Sequence, residues 1–131
     1  MIKAMILAAA ALTMGATAVD AQTMIEKNNI KVENHLMTPE ALWAMGRIGG
    51  AEASPNGKQI VYQVGYYSVK ENKSHQMLFV MDANGKNKKA LTTDAKNESD
   101  AAWINGGQKI AFIRGGQLWS MNPDGTDRKQ L

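Results

Sequence analysis

Leu118-Trp119-Ser120-Met121-Asn122-Pro123-Asp124-Gly125-Thr126-Asp127-Arg128-Lys129-Gln130-Leu131 decides the fold. It does so when set against Leu78-Phe79-Val80-Met81-Asp82-Ala83-Asn84-Gly85-Lys86-Asn87-Lys88-Lys89-Ala90-Leu91, 40 residues earlier. Leu78 and Leu118, Met81 and Met121, Gly85 and Gly125, Lys89 and Lys129, and Leu91 and Leu131 fall at matched positions. Each copy runs an apolar strand into a four-residue turn. Pro123 presets φ for that turn, and the glycine supplies the left-handed residue that closes a hairpin.

A second pair of matching stretches precedes these. Ala53 to Tyr62 aligns with Trp103 to Phe112 at an offset of 50 residues. Ser54-Pro55-Asn56-Gly57 is a turn of the same kind, and Asn105-Gly106-Gly107 is a looser version. Ile60, Tyr62 and Val64 alternate onto one strand face, and Lys109 to Ile113 repeats the theme. The continuous run Met77 to Met81 suits a strand covered on both faces. The two offsets differ because the first copy carries an insertion, around Gly65 to Gln76, where the second has only Arg114-Gly115-Gly116. We read that insertion as a loop of variable length. A period near 40 with about four short strands per unit marks a β-propeller blade. The fold class expected is all-β: a partial propeller of about two four-stranded blades, residues 49–131. Propellers need four or more blades. The chain is therefore read as the N-terminal piece of a longer product, poorly stable or prone to aggregate in isolation.

Ahead of the blades lie a leader and a lead-in. Met1-Ile2-Lys3 is short and basic, Ala4 to Ala16 is almost wholly apolar, and small residues follow at Ala16-Thr17-Ala18 and Val19-Asp20-Ala21. This is the three-part pattern of a secretory signal peptide over 1–21, cleaved after Ala21 or Ala18. The apolar run is too short to serve as a stable membrane anchor. The expected location is the periplasm or the exterior. Residues 22–48 form the lead-in. Within it Thr38-Pro39-Glu40 starts a short helix, Pro39 to Met45, with Thr as cap and Pro at the first helical position.

Composition narrows the function. Of 131 residues, 44% are hydrophobic and 21% charged, which is a globular balance. The net charge of +3 is spread out, and Lys86-Asn87-Lys88-Lys89 is read as a solvated turn, so no nucleic-acid partner is expected. With no cysteine, disulfides, thiolate metal sites and a cysteine nucleophile are excluded. His35 in the lead-in and His75 in the insertion lack the companions of a metal or catalytic site. Asp94, Glu98 and Asp100 do not alternate as a calcium loop does, and they are read as a solvated connector between the blades. Tyr66 and Tyr67 are read as packing or surface residues, with contact to peptide in a central tunnel as the alternative. Trp103 and Trp119 occupy repeat positions and are assigned to the core between blades. No catalytic residue, metal ligand or cofactor is assigned.

The unit Ser-Pro-Asn-Gly-Lys-x-Ile-Val-Tyr (54–62), followed by Leu78 to Gly85 and Lys89-Ala90-Leu91-Thr92, resembles two propellers. One is the periplasmic propeller protein of the Tol-Pal system. The other is the N-terminal propeller of the S9, or prolyl oligopeptidase, family of serine peptidases. The lead-in Met37 to Gly49 and the insertion Tyr66 to Ser74 are similar to bacterial S9 peptidases of the dipeptidyl or acylaminoacyl kind. The resemblance covers roughly 37–131. It implies an exported serine peptidase whose propeller gates access of short peptides to a C-terminal α/β-hydrolase domain. That domain's G-x-S-x-G elbow is absent from this sequence. The chain alone is thus expected to be inactive, its partners being a peptide substrate and the hydrolase domain. The alternative is a non-enzymatic periplasmic scaffold that binds envelope proteins.

Overall fold

A computed structural model describes residues 23–131. The signal-peptide assignment at 1–21 lies outside the described residues. Two four-stranded antiparallel sheets account for most of the chain. The first takes β1 (Arg47–Ala53), β2 (Gln59–Ser68), β3 (Lys73–Asp82) and β4 (Lys89–Ala90) in chain order. The second takes β5 (Glu98–Ile104), β6 (Lys109–Arg114), β7 (Gln117–Met121) and β8 (Lys129–Gln130) in the same order. They do not close into a barrel.

The sequence repeat is a repeat of register. Ile60 pairs with Met81 and Tyr62 with Phe79 in the first sheet, while Ile110 pairs with Met121 and Phe112 with Trp119 in the second. The turns repeat as well. Gly57 N–H donates to Ser54 O at 2.8 Å, Gly85 N–H to Asp82 O at 2.8 Å and Gly125 N–H to Asn122 O at 2.9 Å. Each of these glycines has a positive φ, as the left-handed closing position requires.

The insertion differs from expectation. It is a lengthening of the hairpin rather than a loop: β2 and β3 stay in register through Tyr66–His75, Tyr67–Ser74 and Ser68–Lys73. The difference in length between the copies suggested a loop over Gly65 to Gln76, but only the tip, residues 69–72, is a turn, and polar residues are at home on a solvated hairpin end. The lead-in helix α1 spans Pro39–Ala44, ending one residue before the expected stop. Thr38 caps it, its Oγ1 accepting from Ala41 N–H at 3.2 Å. No helix of the described residues is long and apolar enough to cross a membrane.

The core lies between the sheets. From the first sheet it takes Val61, Leu78, Val80 and Leu91; from the second, Trp103, Ile110, Phe112 and Met121, with Trp119 packed against it. These sets come from opposite faces of equivalent sheets. Tyr62 is the repeat counterpart of Phe112, yet it points to the other side of the first sheet, where it stacks on Phe79 at 5.4 Å. That outer side is partly covered by the lead-in and α1, under which Val64, Met77 and Ala41 are buried. Both faces of Met77 to Met81 are therefore occupied, as the continuous apolar run required.

Candidate functional site

The titratable side chains collect at the junction of the sheets. Glu98 opens β5 directly across from Arg114 at the end of β6, and its side chain is fully buried. A carboxylate survives there only if every lone pair is answered. Its Oε1 accepts from Arg114 Nη1 at 2.6 Å and from Arg128 Nη2. Its Oε2 accepts from Thr92 Oγ1 at 2.8 Å, and Thr92 Oγ1 in turn accepts from Leu78 N–H at 2.8 Å. Arg128 Nη1 donates to Leu91 O at 2.9 Å, and its guanidinium lies 4.9 Å from the Phe112 ring centre. This one carboxylate and its two guanidiniums link both sheets: Leu78 lies on β3 and Leu91 follows β4, while Arg114 ends β6 and Arg128 precedes β8.

Asp94 completes the cluster from the connector. Its Oδ2 accepts from Arg114 Nη2 at 2.6 Å, and its Oδ1 from Arg114 Nη1 at 3.1 Å. The hydrogen bond from Arg114 holds the Asp94 carboxyl below its ordinary pKa, and the same bond, with that to Glu98, raises Arg114. A carboxyl depressed in the folded state adds stability above its unfolded pKa and loses it as pH falls through the folded value. Asp94→Asn is therefore expected to lower the thermal midpoint at pH 7, with the difference from the parent chain shrinking as the pH falls below the ordinary carboxylate range. Because Asp94 is half exposed, the difference is expected to be small. Thermal melts of both chains across that range check it.

The expected solvated connector is thus only partly solvated. Asp94 and Asp100 reach water, whereas Glu98 is the most buried acid of the cluster. Arg114, Arg128 and Thr92 were not singled out from the sequence. The available signal was an arginine ending an apolar strand within hairpin reach of an acid. Among the described residues, no three His, Cys, Asp or Glu side chains converge as a metal ligand set.

His75 is not in a loop but on β3, and it is buried. Its Nδ1 faces Ile25 O at 2.9 Å and its Nε2 faces Lys96 O at 3.2 Å. Both ring nitrogens are thus committed to backbone, tying the lead-in and the connector to the hairpin. His35 lies exposed in the lead-in. Among the described residues, no histidine is hydrogen-bonded to a serine hydroxyl.

Tyr66 and Tyr67 lie on opposite faces of β2. Tyr66 meets Phe79 edge-on at 6.4 Å. Tyr67 packs against Trp43 of α1 at 5.5 Å, with the Arg47 guanidinium 4.6 Å from the Trp43 ring and 4.7 Å from the Tyr67 ring. Trp43 and Tyr67 help to wall an open groove of about 540 Å³ between lead-in, α1 and the β2–β3 turn. Trp103 and Trp119 lie where expected, and Trp103 Nε1 donates across the junction to Glu52 O at 3.0 Å.

No family model matches the chain. The fold is similar to part of the acylaminoacyl peptidase of Pyrococcus horikoshii, with a TM-score of 0.56 and 14% identity, over 68% of this chain and 14% of that one. In sequence the chain is 44% identical over 103 residues to dipeptidyl-peptidase 5 of Porphyromonas endodontalis, covering 76% of this chain and 15% of that protein. It is 38% identical over 100 residues to dipeptidyl-peptidase 5 of Porphyromonas gingivalis, covering 76% of this chain and 14% of that protein. The class that these similarities define is the N-terminal region of an S9 peptidase, which bears out the resemblance seen in the sequence. Within that class, the sequence relatives are the dipeptidyl-peptidases named above. The chain spans about a seventh of their length, 15% and 14%.

Proposed function

We propose that the chain forms the opening blades of a propeller in an exported S9-type serine peptidase that releases dipeptides. The 44% identity to a dipeptidyl-peptidase carries the peptidase reading. The leader pattern of residues 1–21 supports export. The propeller reading rests on one comparison of equivalent residues. Leu78, covered by the second sheet, is 0% exposed, whereas its counterpart Leu118 is 47% exposed. A third sheet laid on the second as the second lies on the first would bury it.

In this reading the residues described here are structural. They set the stacking of the first blades and so the wall that limits which peptides reach the hydrolase domain. Acyl transfer to a serine, with histidine as base, belongs to that further domain. The test uses the intact gene product. It is expected to label with a fluorophosphonate probe and to release dipeptides from a chromogenic substrate, while the 131-residue chain alone does neither. An intact product that neither labels nor cleaves, yet captures an envelope protein, would overturn this in favour of the scaffold.

A further inference from the structure

Three Asn-Gly pairs stand in the turns of this chain, at 56–57, 84–85 and 105–106. Glycine has no side chain to keep its nitrogen away from the asparagine before it. All three asparagines are exposed, so exposure does not tell them apart. Hydrogen bonding does. Gly57 N–H and Gly85 N–H each close their own turn at 2.8 Å. The Asn56 carboxamide is held as well, its Oδ1 accepting from Ser54 Oγ at 2.7 Å and from Lys58 N–H at 3.0 Å. Asn84 Oδ1 accepts from Lys86 N–H at 2.9 Å. The third pair is built differently. Its turn bond runs from Gln108 N–H to Asn105 O at 3.3 Å and bypasses Gly106 N–H. Among the described residues the Asn105 carboxamide has no bond like those of Asn56 and Asn84. Asn105 also stands at φ 52°, in the left-handed region that a residue with a Cβ leaves readily.

We propose that Asn105-Gly106 is a self-modification site, at which this protein converts an amide to an acid without an enzyme. The Gly106 backbone nitrogen attacks Asn105 Cγ. As that C–N bond forms, the Cγ–Nδ2 bond breaks, and ammonia leaves with the proton of the glycine nitrogen. Water then opens the five-membered imide at either carbonyl. One opening gives aspartate; the other routes the backbone through Cβ and Cγ and gives isoaspartate. The extra backbone carbon lengthens a turn that packs closely, since a Cβ at Gly107 would lie 3.1 Å from Pro55 Cδ. Further blades leave the site open. Pro55 is the repeat counterpart of Asn105, and it is exposed although the turn of the second sheet lies beside it. A third sheet set against the second in the same way leaves Asn105 at the surface. Only that exposure rests on the propeller reading; the chemistry rests on the turn.

Peptide mapping of the intact gene product, incubated folded at mildly alkaline pH, tests this. Trypsin separates the three sites, because Ile48 to Lys58, Ser74 to Lys86 and Asn97 to Lys109 each follow a basic residue and end on one. Mass spectrometry is expected to show the amide-to-acid gain in the 97–109 peptide roughly tenfold faster than in the other two, the factor that one or two hydrogen bonds carry. A methyltransferase specific for isoaspartate is expected to methylate that peptide first. In denaturant, where no turn is held, the three are expected to convert at similar rates. Equal conversion of the three in the folded product overturns the proposal. So does faster conversion at Asn56 or Asn84, or an Asn105 that stays an amide. A difference that persists in denaturant overturns it too, because the neighbouring sequence and not the turn then sets the rate. Fluorophosphonate labelling of the same sample reads the peptidase assignment separately, so the two can fail apart.

Discussion

Phe112→Ala is expected to lower the free energy of unfolding by about 3–5 kcal/mol. Phe112 is fully buried at the centre of the inter-sheet core, ringed by side chains of both sheets. Its removal leaves a cavity that neither sheet can fill alone, since the backbone on each side is fixed by ladder hydrogen bonds. It also takes away the ring beneath the Arg128 guanidinium. For a small domain, whose total stability is on the order of 5–15 kcal/mol, that loss is a large fraction. The control is Tyr62→Ala at the repeat-equivalent position, where the side chain is half-buried on the outer face. It is expected to cost clearly less. Urea unfolding followed by tryptophan fluorescence reads both, because Trp103 and Trp119 sit in or against the same core. Equal losses at the two positions would mean that the sheets do not pack through opposite faces.

Glu98→Ala is expected to cost a similar amount, about 3–5 kcal/mol, for an electrostatic reason. Removing the carboxylate strands Arg128 beside Phe112 with no anion, deprives Arg114 of one of its two acids, and leaves the Thr92 hydroxyl without its acceptor. Most of the penalty is the unpaired, partly buried Arg128 charge, so it is expected to shrink when the charge goes too. Arg128→Met in the Glu98→Ala background is expected to recover part of the loss, whereas Arg128→Met alone is destabilising. The double-mutant cycle, measured by urea unfolding, isolates this coupling. Additive losses would show that the cluster is packing and not a charge-balanced junction.

How much of this was legible in the sequence depends on what repeats. The offsets of 50 and 40 residues translate into identical strand pairings, because turn residues and alternating apolar positions fix register locally. Burial does not repeat, because it depends on which neighbour covers a face. Tyr62 and Phe112 look alike in sequence and lie in different environments. Glu98 read as a connector acid because its partners Arg114 and Arg128 are 16 and 30 residues away, and only the stacking of the sheets brings Arg128, Leu91 and Thr92 around it. His75 read as a loop residue because polar neighbours masked a lengthened hairpin. The lead-in helix was legible to within a residue, since Thr38 and Pro39 carry its start chemically.

The central claim is that the face bearing Leu118 is a blade-to-blade face. These 131 residues hold no cysteine, so labelling of an introduced thiol is read as the difference from the unsubstituted intact product. In the intact gene product, Leu118→Cys is expected to resist maleimide labelling under native conditions and to label on denaturation, as Leu78→Cys does. Rapid labelling at 118 in the folded, intact product, with 78 protected, would contradict the account.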